Sequence, residues 1–168
     1  MKNYLYNDTK RILPFLGLSI VTGFLSAVIG TAFKLGAEGV IHLSATIYSA
    51  VRQNWLWIPV LVISAAALGL LASFVVSRAQ SCKGGGIPAS AAAVRGIVSF
   101  NWLSSVLVLP FSALLTFFCG LPLGTEGPCV QMGTAIGDGV VQCFGSKKYQ
   151  GWRRYIMTSG ASAGFSIA

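Results

Sequence analysis

Long apolar runs without charge constrain this chain more than any other feature. Residues 12–33 and 54–77 contain no charged side chain, and each run exceeds the ~20 residues with which an α-helix crosses the hydrocarbon core of a bilayer. A third run, 96–124, is longer than one straight crossing requires. Only 10% of the residues are charged, against roughly a quarter in a soluble domain. The sequence therefore predicts an all-α integral membrane protein with several spans.

Basic residues lie between these runs and predict an orientation. The twelve Lys and Arg residues give a net charge of +8, and positive charge favours the cytoplasmic side of a membrane. This rule places the N-terminus and the loops at 78–83 and 145–154 in the cytoplasm, and the connection 36–53 outside. No basic patch interleaved with aromatics occurs in the sequence, so nucleic acid is not a predicted partner.

Candidate metal-binding and catalytic residues are few. The cysteines are predicted to be unpaired and structural, because Cys82, Cys119, Cys129 and Cys143 lack the spacing of a metal site. His42 is the single histidine and is predicted to be an interfacial polar residue, since a metal site needs several ligands. No Ser/His/Asp set occurs. The sequence predicts no enzyme, no metal site and no cofactor.

Two similar five-residue stretches interrupt the apolar sequence. "GGGIP" (84–88) and "GTEGP" (124–128) share a glycine at the first position and a proline at the fifth. Pro88 and Pro128 are predicted in the first turn of a helix, where a missing N–H costs nothing, and the glycines allow tight backbone turns. A helix that begins inside a membrane exposes N–H groups, which are tolerated where they meet a cavity or a ligand. Such half-helix ends attract anions.

Glu126 lies within the second stretch. Placing a carboxylate in a membrane segment costs free energy, and its presence there indicates a function. Beside a helix N-terminus it can occupy the place of a free anion, and its protonation would vacate that place. Glu126 is therefore predicted to couple the passage of an anion to that of a proton. In the alternative interpretation, both stretches are ordinary kinks and Glu126 caps its helix.

The remaining elements follow from the same patterns. Asp138 is predicted near the cytoplasmic end of its helix, with a structural or interfacial role favoured over proton relay. Small residues (Gly133, Ala135, Gly137 and Gly139) are predicted to let helices approach closely. Helices are predicted over 13–35, 54–77, 88–96, 102–119 and 127–144, with another beginning at about 151.

The two stretches resemble motifs of the CLC family of chloride channels and chloride/proton antiporters. "GTEGP" is similar to that family's G-[RK]-E-G-P motif, "GGGIP" to its G-S-G-I-P motif, and "SGASAGFSIA" (159–168) to its small-residue "GAAAG" helix. Order and spacing agree across about 80–168. The resemblance implies a multi-span helical bundle with discontinuous, re-entrant half-helices, the first half of a CLC-type inverted repeat. Residues 1–168 are then expected to form a single transmembrane-domain fragment, truncated after Ala168.

Roles follow from the resemblance by position. Glu126 matches the family's gating and proton-coupling glutamate. Gly85, Gly86 and Ile87 match the inner end of the anion path, and Gly127 matches the helix end that faces the outer site. The implied function is anion transport, by a voltage-gated chloride channel or a chloride/proton antiporter. The implied partners are a small inorganic anion and a proton as substrates, the lipid bilayer and, at full length, a second copy in a homodimer. The implied location is the plasma membrane, with several spans and a cytoplasmic N-terminus.

Two departures from the family motifs leave alternatives open. Gly85 stands where the family has a serine that contacts the central anion, and Thr125 stands where it has a basic residue. Both changes favour a fluoride/proton antiporter of the same family as an alternative to chloride transport. The resemblance also implies an anion-binding helix end, an inner-gate tyrosine and a proton-relay glutamate beyond this sequence. A non-transporting truncated half-domain is therefore the other alternative.

Overall fold

The computed structural model describes residues 2–52, 55–79, 82, 85–99, 101–121, 124–144 and 147–168. Within these ranges the chain is helical and contains no strand. A 3-10 turn precedes the second long helix at Trp55–Trp57 and another precedes the last helix at Lys147–Trp152. The helices are α1 (Lys2–Arg52), α2 (Ile58–Arg78), α3 (Gly86–Val94), α4 (Trp102–Phe118), α5 (Glu126–Cys143) and α6 (Arg153–Ile167).

Helix α1 is much longer than predicted. The predicted helix 13–35 lies inside it, but the predicted helix end at residue 35 is wrong, because the helix continues to Arg52. The external location of the connection 36–53 stays a prediction. Residues 36–52 contain no proline and include good helix formers, so the loss of apolar character changes the surroundings of the helix without ending it. The 41 residues from Ile12 to Arg52 extend about 60 Å at 1.5 Å per residue, roughly twice the hydrocarbon thickness.

The other predicted helices are confirmed with small shifts. Helices α2, α4 and α6 begin within four residues of the predicted starts. Helix α3 spans Gly86–Val94 instead of 88–96 and ends where Gly96 adopts a positive φ of 76°, a conformation that terminates helices. By length and composition, α2 and the part of α1 from Ile12 are each able to cross a membrane.

Helix α5 is the centre of the bundle. All thirteen residues from Cys129 to Val141 are buried, and α1, α3, α4 and α6 pack against this helix. Helix α2 packs on α4 instead. Large apolar side chains point outward from α1 and α2, including Leu13, Ile20, Ile63 and Leu70. A helix buried on every side and surrounded by helices with apolar outer faces suits a lipid environment.

Glycines hold α5 against α6 at backbone distance. A Cβ built on Gly133 would overlap the carbonyl of Gly160, and a Cβ on Gly164 would overlap that of Cys129. These pairs show that the two helices are antiparallel, since the partner number on α6 falls by four as the number on α5 rises by four. The predicted packing role of Gly133 is confirmed, as is that of Gly137, which lies against the backbone of Ile156. Close approach at small residues is how membrane helices associate.

A buried ion pair joins the last turns of α5 to the start of α6. The Asp138 side chain is fully buried and accepts hydrogen bonds from Arg153 Nε at 2.5 Å and Nη2 at 3.0 Å. Gln142 Nε2 donates to the same carboxylate at 2.9 Å. A carboxylate withdrawn from solvent must be paired in this way. The contacts agree with the structural role predicted for Asp138.

The glycine contact between α5 and α6 predicts a difference between two alanine variants. Gly160→Ala should destabilise the protein by about 1–3 kcal/mol, because the new methyl group is forced into the carbonyl of Gly133. Gly23→Ala is the matched control, since nothing lies within 4 Å of a Cβ at Gly23, and it should be neutral or slightly stabilising. Thermal unfolding of both variants in one detergent measures the difference. Equal melting temperatures would contradict the contact.

Candidate anion site

Helices α3 and α5 begin in the same register of their five-residue stretches. In each, the second residue is the N-cap and the third is the first helical residue, so that α3 begins at Gly86 and α5 at Glu126. Proline therefore occupies the third helical position in both. The predicted first-turn location of Pro88 and Pro128 is confirmed, although both helices begin earlier than predicted. Gly85 has no side chain to cap α3, and the Thr125 side chain makes no capping hydrogen bond to α5.

Backbone donors at these two helix starts lack an acceptor within the helix. The first intrahelical bond of α3 runs from Ala89 N to Gly85 O at 2.9 Å, and that of α5 from Cys129 N to Thr125 O at 3.1 Å. The N–H groups before them belong to the unsatisfied first turn, and proline removes one of them. The remaining donors, including that of Gly127, can bind an anion.

The two helix starts touch each other. A Cβ built on Gly86 would overlap the carbonyl of Gly127, whereas a Cβ on Gly127 would lie 3.8 Å from the backbone of Gly86. Only glycine is therefore compatible with this approach at position 86. Gly85 has room for a side chain, since its nearest neighbour would be Pro88 Cδ at 3.4 Å. Among the predicted anion-binding residues, the structure brings Gly86 and Gly127 into contact.

The other predicted residues surround this contact. Gly85 is exposed with an extended backbone, and Ile87 and Pro88 are also exposed. Glu126 is exposed, and its carboxylate forms no ion pair with any residue that the structure describes. Nothing in the described part of the chain holds this carboxylate in place, so it is free to move toward or away from the helix start.

A cavity of about 580 Å³ lies beside the contact between the helix starts. The hydroxyls of Ser112 and Thr116 donate to carbonyls of their own helix at 3.0 and 2.7 Å, so they are left as acceptors for water or another donor. No local pattern in the sequence marks these residues, and they were missed for that reason. The residues that line the cavity include Gly86, Gly124, Pro128, Gln131, Ser73, Ser112 and Thr116. Glu126 does not line the cavity.

The described residues offer no set of side chains for a metal ion. Among the residues that the structure describes, no group of three or more His, Cys, Asp or Glu side chains is arranged to hold a metal ion. All four cysteines are free thiols. The backbone N–H groups of the two helix starts are donors that can bind a small anion, whereas the hydroxyls of Ser112 and Thr116 are left only as acceptors.

Sequence comparisons match this chain to transport proteins. The family profile described as voltage gated chloride channel matches residues 68–168. The H(+)/Cl(-) exchange transporter ClcA of Yersinia pseudotuberculosis is 31% identical over 166 residues, which cover 98% of this chain and 34% of that protein. ClcA of Vibrio cholerae is 30% identical over 177 residues, covering 99% of this chain and 36% of the relative. The chain thus spans about a third of the length of these relatives.

A solved structure shares the fold. The crystal structure of a slow cyanobacterial Cl-/H+ antiporter matches with a TM-score of 0.79 at 24% identity, over 92% of this chain and 36% of the antiporter chain. The helical fold described above is therefore one that is already known. Because the family profile covers more than half of the sequence, the chain belongs to the voltage-gated chloride channel family, known as CLC.

Proposed function

We propose that this protein moves small inorganic anions across a membrane, with exchange of chloride for protons as its activity. The observation that carries the proposal is the contact of Gly86 with Gly127, which brings together the starts of two helices, each of which has unsatisfied backbone N–H groups. Helix starts of this kind bind anions without a positively charged side chain. Family membership and relatives named as H(+)/Cl(-) exchange transporters support the same activity.

Glu126 is the gating and proton-coupling residue in this proposal. It is the first residue of α5, where the helix dipole favours negative charge. When ionised, its carboxylate competes with a free anion for the N–H groups of the helix start. When it is protonated, that competition ends and the anion can pass. Asp138 has no such role, because its carboxylate is paired with Arg153.

The orientation of α5 supports an external position for Glu126. Helix α6 is antiparallel to α5 and begins beside Arg153 and Arg154, which the distribution of positive charge places in the cytoplasm. The start of α5 then faces the outside. The protein lies in the plasma membrane with a cytoplasmic N-terminus, with lipid against the apolar faces of α1 and α2, and it functions as a homodimer.

Fluoride in place of chloride is the second candidate substrate, and two observations favour it. Gly85 is the N-cap of α3 and offers no hydroxyl to a bound anion. Thr125 carries no positive charge. Its hydroxyl donates to the Ala168 carbonyl at 3.5 Å, so it is not a free donor for an anion. The remaining alternative is a non-transporting half-domain. Measurements of chloride and fluoride flux test it, because such a protein would transport neither anion.

Glu126→Gln should separate anion passage from proton movement. The amide has nearly the same size as the carboxyl group but cannot ionise, so it mimics the protonated state. We expect anion flux to persist while proton flux and the pH dependence of transport collapse. The measurement is simultaneous recording of proton and anion flux in proteoliposomes.

Glu38→Gln is the matched control for this experiment. Glu38 is an exposed glutamate on α1, and its removal should leave proton coupling unchanged. Proton coupling that survives in well-folded Glu126→Gln protein would refute the gating role. Wild-type protein that moves neither chloride nor fluoride would refute the proposed function as a whole.

Gly85→Ser should shift selectivity toward chloride. If fluoride is the substrate, the wild-type protein should prefer fluoride or discriminate poorly, because a site without a hydrogen-bond partner rejects the wrong ligand weakly. A serine fits at position 85 and restores one donor, which should raise the chloride-to-fluoride flux ratio about tenfold. Gly85→Ala adds the methyl group without the hydroxyl and should not change the ratio. Strong chloride preference in the wild type would contradict fluoride as the substrate and would leave the proposed exchange of chloride for protons intact.

A further inference from the structure

Lys34 places a positive charge inside the bundle. It follows directly on the uncharged run 12–33 and is only partly exposed. Its neighbours Phe33 and Ala37 are buried in one apolar cluster with Cys129, a residue of the first turn of α5. Charged side chains in such surroundings are costly and indicate a function. No sequence motif marks this lysine, and it has no role in the function proposed above.

The ammonium group of Lys34 lies beside the start of α5. Lys34 Nζ donates to the carbonyl of Ile167 at 2.9 Å, at the last residue of α6. The next carbonyl, that of Ala168, lies 3.5 Å from the hydroxyl of Thr125, which is the N-cap of α5. Lys34 and the first turn of α5 therefore meet around the end of α6.

Lys34 forms no ion pair with any residue that the structure describes. Within the described ranges, the ion pair found is that of Asp138 with Arg153, toward the opposite end of α5. Glu38, one turn further along α1, and Glu126, next to Thr125 in the sequence, are both exposed and form no ion pair with Lys34. A carbonyl partner orients an ammonium group but leaves its charge intact. A partly buried charge is also screened by salt less than an exposed one.

We propose that Lys34 is an anion-attracting residue of the site at the start of α5, where it raises the affinity for the transported anion. This inference rests on the proposed function and adds a basic side chain to a site otherwise made of backbone donors. A fixed positive charge concentrates anions near it. The same charge also attracts the Glu126 carboxylate, which competes with the anion. The effect of Lys34 on a free anion is therefore measured with Glu126→Gln already in place.

The test compares charge-removing and charge-keeping variants in that background. Lys34→Gln keeps a donor for the Ile167 carbonyl but loses the charge, whereas Lys34→Arg keeps both. Chloride and fluoride binding to purified protein in detergent, followed by calorimetry at low and high ionic strength, gives the affinities. We expect Lys34→Gln to bind the anion about tenfold more weakly at low salt, with a smaller difference at high salt. Lys34→Arg should bind as tightly as the parent.

Two further variants separate electrostatics from packing. Arg78→Gln removes one positive charge from the exposed end of α2, where Arg78 stacks on Phe74, and should leave affinity unchanged. Thr125→Arg introduces a charge beside the same end of α6 and should restore binding to Lys34→Gln. It should also tighten binding when Lys34 is intact, a result that does not depend on the folding of Lys34→Gln.

The possible results distinguish a failure of the role of Lys34 from a failure of the proposed function. Parent-like affinity in folded Lys34→Gln would overturn the role of Lys34 while leaving the proposed function intact. A loss of affinity that neither Lys34→Arg nor Thr125→Arg avoids would also overturn it, because a purely structural contact behaves in that way. Failure of the parent to bind either anion would instead refute the proposed function, and the inference with it.

Discussion

Backbone contact along α5 is the interaction on which the rest of the structure depends. Helix α5 meets α6 where glycines leave no side chain between the backbones, and it meets α3 at Gly86 in the same way. In a bilayer, association of helices depends on close packing more than on exclusion of water. The glycines therefore do more than permit turns. They also bring the starts of α3 and α5 into contact at Gly86 and Gly127.

The charges of the bundle divide between the two ends of α5. Toward its C-terminal end, Asp138 is buried and fully engaged by Arg153 and Gln142, so it serves to fasten α5 to α6. At the N-terminal end, Glu126 is exposed and unpaired within the described ranges, and Lys34 is held by a carbonyl. The hydrogen bonds from Arg153 and Gln142 hold the Asp138 carboxylate in one position. The Glu126 carboxylate has no ion pair among the described residues. We therefore propose Glu126, and not Asp138, as the proton-coupling residue.

Local sequence patterns predicted the helix starts well because glycine and proline act on the backbone of their own turn. The prolines of both five-residue stretches were expected in first turns and lie there. The extension of α1 was not predicted, since the end of an apolar run was mistaken for the end of a helix. Long-range features were also beyond local patterns. Which glycine of "GGGIP" is indispensable depends on Gly127, and the position of Lys34 depends on α6, 133 residues away.

The position of a bound anion tests the central claim most directly. Bromide resembles chloride in charge and size and can be located by its anomalous X-ray scattering. In crystals of Glu126→Gln protein soaked in bromide, we predict an anomalous peak within hydrogen-bonding distance of the backbone N–H groups at the start of α5, beside the contact of Gly86 with Gly127. A bromide peak elsewhere in the bundle, with none at this helix start, would contradict the account.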